Sequence, residues 1–226
     1  MQRFFDIVFS GAALLLLAPL LIFIVLILRF TGEGEVFFRQ QRVGREGELF
    51  ALIKFATMLK NSASMGSGTV TLKDDPRVLP LGKFLRSSKL NELPQLLNIL
   101  MGQMSVIGPR PQTPRCFDAF PARSQVLITQ VRPGLSGVGS IAFRDEEKMM
   151  HSNVDPEKFY DEVIMPYKGA LEEWYVARQS LELYLKCILL SVWVAFRRQS
   201  PAIWGVFKDL PVPPDELLEA LNYRVE

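Results

Sequence analysis

The pattern of apolar and polar positions divides the chain into unequal parts. Residues 7–28 form 22 consecutive positions without a charge, and 19 of them are apolar. At ~1.5 Å per residue such a helix reaches about 33 Å, the thickness of a bilayer core of ~30 Å. The run is too long for the apolar region of a cleaved signal peptide, and no small-x-small cleavage pattern follows Leu28. Pro19 lies inside the run, where it removes one backbone N–H and crowds the preceding turn, favouring a bend. Two readings stay open on these grounds: a kinked segment that spans, or one that enters and returns on the same side. Arg29, Arg39, Arg42 and Arg45 follow the run and place the body of the protein on the cytoplasmic side.

Beyond the run the patterning becomes that of a soluble domain. Val36-Phe37-Phe38 and Leu49-Phe50-Ala51-Leu52-Ile53 predict short strands flanking the polar turn Val43-Gly44-Arg45-Glu46-Gly47. Residues 61–71 are rich in Ser and Gly and read as a mobile loop. Residues 78–87 set Val78, Leu81, Phe84 and Leu85 against Lys83 and Arg86, a short amphipathic helix that suits either anionic lipid or the domain surface. Residues 92–101 predict a helix with Asn91 as N-cap, Glu92 in the first turn, Pro94 tolerated there and Gly102 as the stop. Gly108-Pro109-Arg110-Pro111 is a stiff turn carrying one arginine, and Pro133-Gly134 with Gly137-Val138-Gly139 predicts a glycine-rich loop. Residues 160–184 read as helical. Residues 187–196 are apolar but too short to span. Residues 211–226 are expected to be a loosely held tail.

Composition narrows the chemistry. In 226 residues, Lys plus Arg is 26 and Asp plus Glu is 24, so a net charge of +2 argues against a nucleic-acid-coating protein. Without the apolar run, about 92 of roughly 204 residues are apolar, the globular norm. The single histidine, His151, excludes zinc sites that need two, and Cys116 with Cys187 suggests free thiols in a reducing compartment. Catalysis must lean on carboxylates, Arg, Lys and a bound metal. These gather between residues 73 and 111. A helix start at Asn91 would offer N–H groups to phosphate, flanked by Arg86 and Arg110, while Glu92 is placed to hold Mg²⁺ or to act as acid or nucleophile. An anion site beside a membrane surface points to a phosphate whose other half is a lipid.

An ordered set of motifs then carries a resemblance. It comprises Gly34-Glu35-Val36-Phe37-Phe38-Arg39-Gln40-Gln41-Arg42-Val43-Gly44, Lys54-Phe55 with Thr57-Met58, and Asp75-Pro76-Arg77-Val78. It continues through Glu92-Leu93-Pro94-Gln95-Leu96 with Asn98, Met104-Ser105, Gly108-Pro109-Arg110-Pro111, and Arg132-Pro133-Gly134 with Gly137. Together they resemble the bacterial sugar transferase family, the monotopic phosphoglycosyl transferases, over nearly the whole chain.

The resemblance implies transfer of a sugar 1-phosphate from a UDP-sugar to polyprenyl phosphate with release of UMP. It implies Mg²⁺ as cofactor, inner-membrane lipid as surroundings, and the cytoplasmic face of the bacterial inner membrane as location. It also implies a re-entrant N-terminal helix broken at Ala18-Pro19. The expected fold is α+β and mainly helical: a membrane hairpin over residues 1–30, an interfacial catalytic domain with a short β-hairpin over 31–200, and a C-terminal extension over 201–226. Catalytic candidates are Glu92, Asn91 and Asp75, with Glu92 also the metal ligand. Arg86, Arg110, Lys54 and Arg77 are the phosphate-binding candidates, and Pro109, Pro111, Pro133 and Gly134 the substrate-loop candidates. The loops over 62–71 and 140–153 are candidate sugar selectors. A homodimer is left open.

Two positions depart from the family pattern. Asn91 stands where the family has its nucleophilic Asp, and Ala56 where it has an Arg. A neutral amide cannot form an acyl phosphate as a carboxylate does. Either Glu92 or Asp75 takes over, or the lipid phosphate attacks directly, or the site is silent and binds lipid phosphate without turnover.

Overall fold

The computed structural model describes residues 1–62, 75–144, 146, 155–197 and 202–223. The first helix, α1 (Gln2–Phe30), runs through the expected break at Ala18-Pro19 without interruption. Pro19 forfeits a single backbone bond, and the apolar residues on both sides continue the helix. Along one flank α1 touches the rest of the protein from end to end. Ile24 and Leu28 are buried with Phe55 and Leu85, Ala13 and Leu14 pack on a cluster of Phe50, Leu52, Leu96, Ile99 and Met104, and Phe5 meets the main core. The other flank exposes Leu15, Leu16, Ile22, Phe23 and Phe30.

The amino-terminal end is docked by polar groups. Asp6, only 1% exposed, accepts hydrogen bonds on Oδ1 from Ser105 Oγ (2.8 Å), Val106 N (2.9 Å) and Tyr184 Oη (2.9 Å). Gln2 donates to Ser105 Oγ and to the carbonyl of Ile107, and Arg3 to the carbonyls of Ile99 and Leu100.

Strands β1 (Phe37–Val43) and β2 (Leu49–Phe55) pair antiparallel in the register Phe37↔Phe55 to Val43↔Leu49. They are longer than the sequence pattern predicts because Arg39 to Arg42 continue the ladder in β1 and Lys54 and Phe55 continue it in β2. After α2 (Pro80–Ser87), the chain makes a 3₁₀ turn (Leu90–Glu92) and then α3 (Gln95–Leu100). The helix expected from Glu92 therefore begins three residues later, with Pro94 at its cap. Asn91 lies inside the 3₁₀ turn and does not cap it. Asn98 ties α3 to β2: its Nδ2 donates to Ala51 O and its Oδ1 accepts from Ile53 N.

The short strand β3 (Ser105–Ile107) is followed by α4 (Pro114–Asp118) and α5 (Ala122–Ile128). The stretch expected as a glycine-rich loop is instead β4 (Gly134–Ser136), parallel to β3. A Cβ at Gly134 would stand 2.1 Å from Gly108 N, and one at Gly137 2.2 Å from Gly108 O. The glycines thus serve a close approach of two backbones rather than a flexible loop.

Then come α6 (Val138–Ala142), α7 (Pro156–Phe159), a π turn (Tyr160–Ile164) and α8 (Met165–Ala177). Helix α9 (Leu181–Phe196) is capped by Ser180, whose hydroxyl accepts from Leu183 N (3.1 Å). The single helix read over 160–184 is therefore two, parted at this cap. The main core joins Ile107, Val138, Ile164, Leu171, Tyr175, Tyr184 and Cys187. It also takes in Ile203 of α10 (Ala202–Val206) and Leu217 of α11 (Asp215–Leu218). Residues 211–223 are accordingly no loose tail: Leu217 and Leu221 are buried. Of the loop read over 61–71, all but Asn61 and Ser62 lie outside the described residues, as does His151.

Candidate active site

A cavity of about 800 Å³ opens between α2, the 3₁₀ turn, the residues after β3, α6 and α8. One end gathers cations. Lys54 is on the face of β2 shared by Phe50 and Leu52, following the two-residue period of a strand. Lys83 and Arg86 come from α2, and Lys89 from the left-handed residue (φ 60°) that links α2 to the 3₁₀ turn. Arg110 follows β3 through Gly108-Pro109.

Among these cations sits Glu92, whose Oε1 accepts from Arg110 Nη2 at 2.7 Å. Burial opposes its charge, but Arg110 and Lys54 outweigh burial and hold the carboxyl well below the usual carboxylate range. Lys54 is pushed the other way. Burial lowers its ammonium to about 7 against the attraction of Glu92, with Arg110, Arg42 and Arg86 adding repulsion. Asn91, 7% exposed, lines the same wall, and its buried Oδ1 has no partner.

The cavity's other end holds residues that sequence reasoning missed. Glu172 on α8 is 3% exposed. Its Oε1 accepts a long bond from Arg110 N (3.4 Å), and its buried Oε2 has no partner. Burial pushes this carboxyl up to about 8, against Arg110 and Lys168, which lower it. Lys168, one turn earlier, is ion-paired with Glu146, and its ammonium stands 5.0 Å from the centre of the Phe143 ring. Ser140 Oγ is buried and unpartnered as well. In sequence, Lys168 and Glu172 are an i,i+4 pair of opposite charge, the signature of an exposed helix face. Only their burial gives them away.

Of the predicted site residues, the structure brings Glu92, Asn91, Lys54, Arg86, Arg110 and Asp75 to one cavity wall. Arg77 is not on that wall. It is buried, donating to both carboxylate oxygens of Asp75 and to Ser62 O. This pair occupies the Asp75 carboxylate and fixes the turn leading into α2. Pro109, Pro111 and Pro133 line a separate crevice of about 10 Å³ with Val43, Gly44 and Phe117, too small for a substrate. Pro109 and Pro111 stiffen the turn that carries Arg110, Pro133 accepts on its carbonyl from Ser105 N, and Gly134 serves the β3–β4 approach. The expected helix start at Asn91 is absent, so cationic side chains, not a helix end, make up the anion site. Of the candidate selector loops, residues 63–71, 145 and 147–153 lie outside the described residues.

The cavity thus brings a group of cationic side chains together with buried carboxyl groups. The chain belongs to the bacterial sugar transferase family, which it matches over residues 1–198. That membership places it among the phosphoglycosyl transferases. It is 35% identical to the exopolysaccharide production protein ExoY of Rhizobium meliloti over 159 residues, covering 64% of this chain and 70% of that protein. It is 34% identical to the UDP-glucose:undecaprenyl-phosphate glucose-1-phosphate transferase of Klebsiella pneumoniae, covering 88% of this chain and 41% of that longer protein. It is also 31% identical to the sugar transferase EpsL of Bacillus subtilis, covering 85% of each chain.

Proposed function

We propose that the protein transfers a sugar 1-phosphate from a UDP-sugar to polyprenyl phosphate, releasing UMP, in the priming step of cell-surface glycan assembly. The observation that carries this reading is the one cavity lined by Lys54, Lys83, Arg86, Lys89 and Arg110 together with Glu92 and Asn91. Four cations and a partly protonated Lys54 leave an excess of positive charge over Glu92, matched to a diphosphate and a lipid phosphate brought together. Arginine forks on phosphoryl oxygens stabilise the charge that builds up during transfer.

Among the described residues that line the cavity, the carboxyl groups are engaged: Asp75 by Arg77, Glu92 by Arg110, Glu146 by Lys168, and Glu172 by burial that favours its protonated form. Direct attack is therefore the route the geometry supports best. An oxygen of the lipid phosphate forms a bond to the sugar-bearing phosphorus. The bond from that phosphorus to the bridging oxygen breaks, and UMP departs with its electron pair.

Among the described residues, no group of three or more His, Cys, Asp or Glu side chains could hold a metal. Mg²⁺ commonly needs only one or two protein oxygens when phosphates supply the rest. Asn91 Oδ1, which has no partner, would supply one such oxygen, and Glu92, whose carboxylate already accepts from Arg110, a second. When bound there, Mg²⁺ would neutralise charge on the diphosphate.

The protein is read as monotopic, at the cytoplasmic face of the inner membrane. The support is that residues 2–6 and residues 24–28 of α1 are both docked on the one domain. A cysteine at position 2 should be labelled from the cytoplasm in intact spheroplasts, and labelling from outside would overturn this topology.

Turnover is tested with a panel of UDP-sugars, undecaprenyl phosphate and Mg²⁺ in detergent, reading UMP. Lipid-dependent UMP release without a trapped phosphosugar on the protein is the expected result. Asn91 favours a second reading, a silent lipid-phosphate-binding protein. Activity that appears only in Asn91→Asp would establish that reading instead.

A further inference from the structure

Two buried polar atoms at the far end of the cavity have no partner: Glu172 Oε2 and Ser140 Oγ. Leaving a buried acceptor or hydroxyl unpaired is costly, so such atoms are normally completed by something that binds. The surroundings show what kind of group fits. Gly139 lies beside Glu172, and a Cβ there would stand 2.4 Å from Glu172 Oε1, so glycine keeps the space the carboxyl occupies. Ser136 and Ser191, which also line the cavity, share a hydrogen bond of 2.7 Å. Near Glu172 the cavity therefore offers a carboxyl group and hydroxyls, with the ammonium of Lys168 held by Glu146. Arg110 stands between the two glutamates, its guanidinium on Glu92 and its backbone N–H on Glu172.

Resting on the transferase reading above, we infer that Glu172 Oε2 and Ser140 Oγ form the subsite that hydrogen-bonds hydroxyl groups of the sugar moiety of a nucleotide-sugar. A sugar hydroxyl both donates and accepts, and so does each of these groups. Glu172, pushed up to about 8 by burial, is mostly the neutral acid near pH 7, able to donate to one hydroxyl and accept from another. Among the described residues, the ammonium of Lys168 beside Glu172 is already paired with Glu146, so this end suits a polyol.

The test compares the affinity of UDP with that of UDP-glucose and UDP-galactose by calorimetry on full-length protein in detergent. Wild type should bind at least one UDP-sugar more tightly than UDP. Glu172→Leu and Ser140→Ala should each shrink that advantage, by about tenfold for Glu172→Leu, and leave UDP affinity unchanged. Glu172→Leu should also alter the ratio between the two epimers. Three results overturn the subsite: both variants behave like wild type, both lose UDP and UDP-sugar affinity in parallel, or wild type binds UDP no less tightly than every UDP-sugar. Should Glu172→Leu fail to fold, Ser140→Ala decides alone. Wild type that binds neither UDP nor a UDP-sugar would overturn the transferase reading itself, a result distinct from the other three.

Discussion

The two ends of the cavity place the same side chain in opposite states. Glu92 and Glu172 are both glutamates removed from solvent, and both lie near Arg110. Glu92 meets the guanidinium at 2.7 Å with Lys54 close by, and stays charged. Glu172 meets only a backbone N–H at 3.4 Å, while the ammonium of Lys168 is engaged by Glu146. Burial then dominates and its carboxyl rises to about 8. Burial alone does not set the charge of a carboxyl group; the number and direction of the donors left over for it do. One end is thereby prepared for anions and the other for uncharged polar groups.

The strongest way to break this contrast is Arg110→Ala, which removes the group that holds Glu92 charged. UMP release should fall roughly 100- to 1,000-fold, as for loss of a donor to developing charge. Glu92→Gln should abolish turnover in the same assay. Near-normal rates in both would sink the assignment of the charged end.

Lys54→Met probes the same end through stability. The ammonium is lowered from 10.5 to about 7 in the folded protein. Between those values the unfolded chain binds more protons, so wild-type stability should rise with pH from about 7 to 10.5 through this group. Urea midpoints measured across that range should climb less steeply in Lys54→Met.

The smallest expected effect, of opposite sign, belongs to the other end. The carboxyl of Glu172 is raised from 4.5 to about 8, so the folded protein binds the extra proton. Stability should fall as pH rises from about 4.5 to 8, and Glu172→Gln should flatten that decline. Equal slopes in wild type and variant would show that the two glutamates do not differ as described.

Much of the charged end is legible in the sequence. Arg86, Arg110, Glu92 and Lys54 stand in motifs, and the structure brings all four to one wall. The hairpin is legible too, because a polar turn separates two apolar stretches. The uncharged end is not. Lys168 and Glu172 read as a solvated helix pair, and Ser140 as one serine among many, until α6 and α8 pack together and enclose them. The helix start at Asn91 fails for a local reason. Leu90 and Leu93 pack into neighbouring clusters, and the chain turns through a 3₁₀ step before Pro94 can open α3.

By itself the sequence determined the long apolar helix, the cationic and acidic residues available for chemistry, the family, and an amide, Asn91, where the resemblance leads one to expect a carboxylate. These are properties of residue type and order, which need no folding to be read. Only the tertiary structure decided that the helix is docked at both ends through Asp6 and Leu28, and that Asp75 is bound to Arg77. It alone decided that Arg110 and Lys54 hold Glu92 charged while burial pushes Glu172 toward its neutral form. Charge and burial depend on which distant groups arrive within a few ångströms, and no local pattern in the chain records that.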